Sequence, residues 1–559
     1  MHHIFVNSSE APIRRYGYAP KDELRGYGCA MLKSQKFLFN GLMLTATSLI
    51  MRTVGVAFNA YTANAIGESG TGLFSLVMSV YSLAVTAACA GINLAATRMT
   101  AEADGRFFSF KVRRVMRKCI VYSLVTGVSA AVLLFSFSGF IGEQLLCSED
   151  TIPSLKILSF SLPFIALTSA FNGYFTAVRR VFKTAFAQIL EQAFKIALTV
   201  AGLRMFYGMG VKYQCLALVA GSGISELLSF FIIGFMYLFD IFKNQKMDKT
   251  DTAAVSAGDG GRILRQLLSI TVPVALSSFI RSALVTVEHI LIPYGLKKSG
   301  ASFELALSSY GTLHGMVMPI ILFPACFIYS FYGLLVPELA QSKELGENGK
   351  IVDIVSRMFR FALMFAVGVS GVMLCFSQDI GLAVYGSPTA ASYIKVMAPL
   401  IPIMYLDSAV DAMLKGLGEQ RYSMRVNIAD AALSTLCVYL LVPRFGIGGY
   451  IFVVYISEVF NLSLSAMRLI KSAGFRIDVR SALLPLFSAC GACCLTNIVF
   501  GLISADGGSY AAACTAKICT CLIFYIILLL MLDCINGEDR KAIRILLPIR
   551  RNKVRSEKI

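Results

Sequence analysis

Apolar residues occur in long blocks along most of the chain, and short polar stretches separate these blocks. Most blocks reach about twenty residues or more, which is the length that an α-helix needs to cross a hydrocarbon core of about 30 Å. The polar breaks contain residues that end helices, as in GESGTG at 67–72 and GSPTAAS at 386–392. This pattern predicts an all-α integral membrane protein with about 14 transmembrane helices.

The fourteen predicted helices follow from the apolar blocks alone. They lie near residues 38–64, 72–96, 119–141, 157–178, 184–203, 213–240, 266–294, 306–336, 358–378, 392–417, 426–443, 446–467, 481–503 and 509–533. Successive loops between these helices lie on alternate sides of the membrane, so the distribution of basic residues can orient the chain.

The basic residues are concentrated on one predicted side of the membrane. Of the 51 lysines and arginines, 39 lie in the N-terminal segment, the even-numbered loops and the C-terminal tail, 8 lie in the odd-numbered loops, and 4 lie inside predicted helices. The positive-inside rule therefore predicts a multi-pass protein of the cell membrane with both termini in the cytoplasm. The net charge of +18 then indicates contact with anionic membrane lipids and not with nucleic acid.

The composition agrees with a membrane protein and offers no catalytic motif. Hydrophobic residues make up 56% of the chain and charged residues only 15%, whereas a soluble protein has about 25% charged residues. The fifteen cysteines lie mostly in apolar blocks, as in CGACCL at 490–495, and are interpreted as small hydrophobic residues. The sequence contains no phosphate-binding lysine loop, no G-x-S-x-G and no H-E-x-x-H. We therefore expect neither an enzyme nor a cofactor, and no metal ligands can be assigned.

Two similar patterns indicate an internal repeat. Arg52 lies near the middle of the first predicted helix and Arg281 near the middle of the seventh, and the sequences ISELLSF and ISEVFNL contain Glu226 and Glu458. The separation from arginine to glutamate is 174 residues in the first case and 177 in the second. This spacing predicts two pseudo-symmetric six-helix lobes, related by an axis along the membrane normal, with a binding site between them.

The repeat divides the chain into six predicted parts. These are a cytoplasmic N-terminal segment (1–36), an N-lobe with helices 1–6 (37–240), a cytoplasmic linker (241–263), a C-lobe with helices 7–12 (264–470), two C-terminal helices (480–534) and a basic cytoplasmic tail (535–559).

Several stretches resemble the stage V sporulation protein B group of the multidrug/oligosaccharidyl-lipid/polysaccharide flippase superfamily. The most specific of them is APLIPIMYLDSAVDAMLKGLGEQRYSMRVNIAD at 398–430, and the similarity extends to residues 66–102, 161–198 and 310–341. The resemblance implies two lobes, transport by alternating access, and a saccharide linked to a polyprenyl pyrophosphate as the cargo.

The two buried arginines are the main candidates for substrate binding. An arginine at the centre of a membrane helix costs about 2.5–3.5 kcal/mol on insertion scales, so Arg52 and Arg281 need a compensating role. The planar guanidinium can bind phosphate oxygens through two hydrogen bonds, although a structural role beside a carboxylate or backbone carbonyls is the alternative. Glu288, two helical turns after Arg281, and Asn59 on the first helix are further candidates for substrate binding.

Acidic residues in the predicted helices are candidates for coupling or gating. Asp407, Asp411 and Lys415 are spaced by four residues on helix 10, so an ion pair between Asp411 and Lys415 is the simplest interpretation. This pairing leaves Asp407 as a candidate for a proton or cation site, or for a counter-charge to Arg281. Glu226 and Glu458, at equivalent positions of the two lobes, are predicted either to close salt bridges in a gate or to act as coupling acids.

We therefore predict a flippase for a lipid-linked saccharide used in cell-wall, spore-cortex or surface-polysaccharide synthesis. Its expected partners are this substrate, membrane lipids and wall or polysaccharide synthases. Two alternatives remain at this stage. A cation-coupled exporter of drugs or other small molecules would have an acidic cavity, and a non-transporting scaffold for wall synthesis would have no cavity.

Overall fold

The structure is a computed structural model, and it describes residues 21–89, 91–103, 110–245, 259–475, 480–502 and 510–532. The chain divides into a short unit, Met1–Thr47, and a main unit, Ser48–Ile559. Every contact described below belongs to the main unit. The predicted N-terminal segment is described only from residue 21, and most of the predicted linker and the whole basic tail lie outside the described residues.

All regular structure in the described residues is helical. The α-helices are α1 (Lys21–Cys89), α2 (Ile92–Ala103), α3 (Phe110–Phe140), α4 (Thr151–Ala177), α5 (Val181–Met205), α6 (Val211–Gln245), α7 (Asp259–Lys298), α8 (Phe303–Tyr310), α9 (Met318–Leu322), α10 (Ala325–Glu344), α11 (Asn348–Cys375), α12 (Ser377–Tyr385), α13 (Pro388–Met397), α14 (Ile401–Gly416), α15 (Gln420–Ala473), α16 (Arg480–Leu502) and α17 (Tyr510–Met531). Wider π-helical turns, Ile141–Leu145 and Gly311–Val317, follow α3 and α8.

Twelve helical stretches within the described residues are long and apolar enough to cross a membrane, which confirms the all-α membrane class. Two of these stretches, Leu49–Ala103 with 55 residues and Gln420–Ala473 with 54, are about twice as long as one crossing requires. Each contains a glycine with positive φ, Gly67 at 73° and Gly446 at 60°, a conformation that glycine adopts without steric cost. These glycines lie at breaks that the sequence predicts, and the count of fourteen helices remains a prediction.

The helices pack into two groups that follow the chain order. Helix α4 packs against α2, α3 and α6, and α5 packs against α6. Tyr81 of α1 bonds to side chains of α4 and α6, which completes an N-lobe formed by α1–α6. Helix α7 packs along α15, and α14 packs against α10, α11 and α15, which gives a C-lobe formed by α7–α15. Helices α16 and α17 pack against each other and against α11.

The two lobes meet where α1 crosses α8, close to the Gly67 bend. A Cβ atom built on Gly311 would lie 2.7 Å from the Cα of Gly72 and still closer to the Gly72 nitrogen. A Cβ atom on Gly72 would in turn overlap the Leu307 carbonyl oxygen. Only glycine at these two positions allows the helices to approach so closely.

Hydrogen bonds reinforce this contact between the lobes. The two carboxylate oxygens of Glu68 accept hydrogen bonds from the Ser387 hydroxyl at 2.6 Å and the Ser308 hydroxyl at 2.8 Å. The side-chain amide of Asn64 donates to the carbonyl oxygen of Val384 at 2.8 Å. We call this end of the helical bundle the Gly67 end, and there the N-lobe is fastened to the C-lobe.

Candidate functional site

A cavity of about 650 Å³ lies between α1 of the N-lobe and α7 of the C-lobe, and we call it the interlobe cavity. It is lined by Asn59, Thr71, Phe74, Ser75, Met78, Ser79, Ser82, Thr86, Ser278, Arg281, Ser282, Val285, Thr286, His289, Tyr310, His314 and Gly315. Arg281 is the one lysine, arginine or carboxylate side chain among these lining residues. The cavity is therefore polar and has a single fixed positive charge.

Hydrogen bonds join the two lobes beside the interlobe cavity. The Asn59 side-chain amide donates to the Gly315 carbonyl oxygen at 2.9 Å, and the Thr286 hydroxyl donates to the Ser79 carbonyl oxygen at 3.1 Å. A Cβ atom on Gly315 would overlap the methyl group of Thr71. Asn59, which the sequence suggests as a substrate contact, thus both lines the cavity and joins the lobes.

Arg281 also lines two cavities inside the C-lobe. The larger C-lobe cavity, of about 560 Å³, lies between α7, α10, α14 and α15, and is lined by Arg281, Tyr329, Tyr332, Val336, Pro337, Asp407, Ser408, Asp411, Ala412, Lys415 and Asn427. The smaller C-lobe cavity, of about 160 Å³, is lined by Arg281, Val285, Glu288, Met318, Asn427, Asp430, Ala431, Ser434, Tyr450, Val454, Ser457 and Glu458. One guanidinium therefore borders three cavities.

Arg52 contacts an aromatic side chain that lines the larger C-lobe cavity. Its guanidinium carbon is 5.5 Å from the centre of the Tyr329 ring, in a cation–π arrangement. The Tyr329 hydroxyl lies 3.2 Å from the Ser408 hydroxyl, and both side chains line the larger C-lobe cavity. Arg52 is not among the residues that line the interlobe cavity. Arg281 therefore lines the larger C-lobe cavity, whereas Arg52 lines none of the three cavities and contacts one lining residue, Tyr329.

The smaller C-lobe cavity contains three carboxylates. The Ser434 hydroxyl donates to Glu288 at 2.8 Å, and the Ser457 hydroxyl donates to Asp430 at 2.6 Å. Glu458 lines the same cavity. The structure thus brings together two of the acids that the sequence singled out, Glu288 and Glu458, and adds Asp430.

Asp407 and Asp411 differ in how well their oxygens are satisfied. One Asp407 oxygen lies 3.4 Å from the Asn461 amide nitrogen, and the other is buried without a hydrogen-bond partner among the described residues. Asp411 forms an ion pair with Lys415 at 2.5 Å and accepts a hydrogen bond from Ser423. The contacts of Asp411 connect α14 to α15, whereas Asp407 has one buried oxygen that is not satisfied by any described residue.

Glu226 and Glu458 occupy equivalent sequence positions but have different surroundings. One Glu226 oxygen accepts a hydrogen bond from the Tyr81 hydroxyl at 2.6 Å, and that hydroxyl lies 2.5 Å from the Ser161 hydroxyl. These three side chains belong to α6, α1 and α4 and lie inside the N-lobe. Glu458 instead borders a cavity that Arg281 lines.

Two histidines, His289 and His314, line the interlobe cavity. The sequence does not predict that they lie together. His289 accepts from or donates to the Tyr310 hydroxyl at 2.8 Å, and His314 and the Tyr450 hydroxyl are 2.6 Å apart. The centres of the two imidazole rings are 4.6 Å apart. His314 lies on the π-helical turn that follows α8. Its sequence neighbours give no sign of a partner on another helix.

Two further features have a sequence signal that could have been used. Glu68 is a carboxylate between glycines in the break GESGTG, a place where a helix end needs polar partners. Hydroxyl residues recur every three or four positions from Thr71 to Thr86, which places them on one face of α1. The sequence gives no comparable signal for Asp430. It lies on α15, whereas the regularly spaced acids Asp407 and Asp411 lie on α14.

Comparison with known proteins places this geometry among membrane transporters. A family model described as polysaccharide biosynthesis protein matches residues 37–343, and a model described as MatE matches residues 338–440. Stage V sporulation protein B of Bacillus subtilis (strain 168) is 26% identical over 519 residues, covering 92% of this chain and 99% of that protein. Lipid II flippase MurJ of the same organism is 18% identical over 492 residues, covering 82% of this chain and 87% of that protein.

The solved structures give the same fold. The structure of a lipid II flippase MurJ in an inward closed conformation superposes with a TM-score of 0.66 at 12% sequence identity, covering 90% of this chain and 100% of that one. At this identity the likeness shows the arrangement of helices and nothing about the ligand. The fold of two helical lobes around a central cavity is therefore shared.

Proposed function

This chain belongs to the polysaccharide biosynthesis protein family, within the multidrug/oligosaccharidyl-lipid/polysaccharide flippase superfamily, and from that premise we propose that it moves a saccharide linked to a polyprenyl pyrophosphate across the cell membrane. The observation that supports this most directly is the position of Arg281. It is the one fixed charge of the interlobe cavity and also borders both C-lobe cavities. A cationic centre between two lobes suits an anionic headgroup.

In this proposal the two arginines bind the pyrophosphate. A diphosphate with a substituent at each end has one ionised oxygen on each phosphorus, so two guanidinium groups match its charge. Arg281 approaches from the C-lobe, and Arg52, held over the Tyr329 ring, approaches from the N-lobe. Each planar guanidinium can donate two parallel hydrogen bonds to phosphate oxygens. The polyprenyl tail stays in the lipid while the headgroup crosses.

The orientation follows from the distribution of charge. With both termini in the cytoplasm, the Gly67 end is external, and the structure has that end closed by Glu68 and the α1–α8 contact. Transport then requires that this contact opens while the opposite end closes. Outward movement of an anion is favoured by a negative interior, by about 2.3 kcal/mol per charge for each 100 mV. Wall or surface-polysaccharide precursors are the proposed cargo, and wall or polysaccharide synthases the proposed partners.

The test is transport by the purified protein in vesicles that contain a labelled polyprenyl-pyrophosphate saccharide. We expect Arg52→Lys and Arg281→Lys to reduce the transport rate partially, because lysine keeps the charge but loses the planar fork. We expect Arg52→Ala and Arg281→Ala to reduce it more, and the double variant most. Arg425→Ala, at an exposed position of α15, is the matched control. Normal transport by the double alanine variant at normal abundance would exclude phosphate capture.

The acids of the C-lobe favour a second candidate, a cation-coupled exporter of small molecules. Asp407, Asp411, Glu288, Asp430 and Glu458 line the two C-lobe cavities, and only two cationic side chains line these cavities with them. Under the first proposal the acids couple or gate flipping. Under the second, efflux of an organic cation would depend on an ion gradient and would not need a lipid carrier. Vesicles that transport drugs but no lipid-linked saccharide would favour the exporter.

A further inference from the structure

Two rows of hydroxyl residues line the interlobe cavity, and the helices that carry them touch where the Thr286 hydroxyl bonds to the Ser79 carbonyl oxygen. One row belongs to α1 and the other to α7, and in each row the residues recur every three or four positions, so that they share a helix face. The rows are Thr71, Ser75, Ser79, Ser82 and Thr86 on α1, and Ser278, Ser282 and Thr286 on α7.

Some of these hydroxyls are occupied within the protein. The Ser79 hydroxyl donates to the Leu76 carbonyl oxygen at 2.8 Å, and the Thr86 hydroxyl donates to the Ser82 carbonyl oxygen at 2.8 Å. Such bonds to the preceding turn are the usual arrangement for a serine or threonine inside a membrane helix. Thr286 uses its hydroxyl to connect α7 to α1.

Four serines differ from this arrangement. The hydroxyls of Ser75, Ser82, Ser278 and Ser282 form no hydrogen bond with any residue in the described part of the chain, although all four line the cavity. Ser82 is exposed and the other three serines are half-buried, and the hydroxyls of those three are not among the buried polar atoms that lack a partner, so all four are accessible. Each is a free donor and acceptor, two on either wall.

The charges around the cavity limit what these hydroxyls can bind. Arg281 and Arg52 are the cations assigned to the two phosphates, and the next cation, Lys415, is paired with Asp411. A carboxylate on the sugar would therefore find no further cation among the side chains that line the interlobe cavity and the two C-lobe cavities. An unpaired charge in a site of this kind disfavours binding.

We infer that Ser75, Ser82, Ser278 and Ser282 bind the hydroxyl groups of the saccharide, and that the saccharide itself is uncharged. The inference rests on the proposed function and narrows its substrate class. A pyranose presents donors and acceptors around its ring, which serine hydroxyls from two helices can satisfy. An acidic sugar or a peptide with several carboxylates fits this cavity less well.

The experiment measures binding to the full-length protein in nanodiscs with three short-chain polyprenyl pyrophosphates. The first has no sugar, the second has a neutral disaccharide, and the third has a disaccharide that contains a uronic acid. Wild-type protein should bind the neutral conjugate about tenfold more tightly than the sugar-free lipid, since a few hydroxyl hydrogen bonds supply a factor of that size. The acidic conjugate should bind no better than the sugar-free lipid.

The serines are tested by replacing all four with alanine. This variant should lose the preference for the neutral conjugate while its affinity for the sugar-free lipid stays within about twofold. Alanine is the better helix former, so the helices should form, and a thermal unfolding curve checks this. Ser277→Ala is the matched control, because the Ser277 hydroxyl donates to the Val274 carbonyl oxygen at 3.1 Å and the residue is not among those lining the cavity.

The outcomes separate this inference from the proposed function. If wild-type protein binds none of the three lipids, the proposed function fails. If it binds all three equally, or if the fourfold alanine variant keeps the preference for the neutral conjugate, the pyrophosphate site stands and the saccharide site is wrong. If the uronic acid conjugate binds more tightly than the sugar-free lipid, the claim that the saccharide is uncharged is refuted.

Discussion

Replacement of Gly311 by alanine should destabilise the closed Gly67 end. The added Cβ would lie 2.7 Å from the Gly72 Cα, about 1 Å inside the usual contact distance of about 3.5–4.0 Å. Overpacking of this kind costs about 1–3 kcal/mol. The backbone of Gly311 is helical, at φ −62° and ψ −43°, so alanine regains up to about 1 kcal/mol of helix propensity. All three obstructing atoms are backbone atoms, the nearest being the Glu68 carbonyl oxygen, so the upper end of about 3 kcal/mol applies. The remaining cost of about 2 kcal/mol lowers the closed population by a factor of roughly 30.

Hydrogen–deuterium exchange of the protein in nanodiscs measures this change, because exchange reports local opening. Faster exchange is expected in the peptides around residues 64–76 and 303–317, with no change in α4 or α5. Gly139→Ala is the matched control, since Gly139 lies in α3 and has no atom within 4 Å of a built Cβ. Unchanged exchange in Gly311→Ala would mean that the α1–α8 contact does not hold the lobes together, and the reasoning would be wrong.

Other contacts lead to further expectations. Glu68→Gln should speed exchange at the Gly67 end, because hydrogen bonds to a charged acceptor contribute about 1.5–3 kcal/mol; equal exchange would contradict this role. Asp407→Asn should slow transport at normal abundance if its free oxygen takes part in coupling, whereas unchanged transport would make the residue structural. Asp240 is only 2% exposed and forms ion pairs with two cations. The variant Asp240→Asn should therefore have a lower thermal unfolding midpoint, and an unchanged midpoint would refute this. Tags at Ala254, which is outside the described residues, and at the C-terminus should be found in the cytoplasm, and a tag at Ser387 should be found outside the cell. A tag on the opposite side would contradict the predicted topology.

The sequence predicts those features of the fold and site that depend on one helix alone. The helical membrane class follows from the length of the apolar blocks, and the structure confirms it. The ion pair between Asp411 and Lys415 follows from a spacing of four residues, and the structure contains it. Periodicity also shows which side chains share a helix face. In these cases the determining interactions lie within one helix or between the helix and the lipid.

The sequence does not predict what each helix face contacts. Glu68 binds serines that are 240 and 319 residues away, and no local pattern specifies such partners. The pseudo-symmetry suggests equal roles for Glu226 and Glu458, yet one is bonded to Tyr81 and the other borders a cavity. The difference arises from which side chains the neighbouring helices present, which depends on the packing of the complete lobe.

The long separation between the partners at the Gly67 end also has a consequence for synthesis of the protein. Ser387 follows Glu68 by 319 residues, so at a translation rate of about 5–20 residues per second the partner emerges roughly 15–65 s later. During that interval the inserted N-terminal half lacks the helices that cover α1. Its glycine-lined surface and the Glu68 carboxylate must then be accommodated by lipid, water or the insertion machinery. A nascent chain of this kind is exposed to quality-control proteases for longer than a protein whose neighbouring helices pair as they emerge.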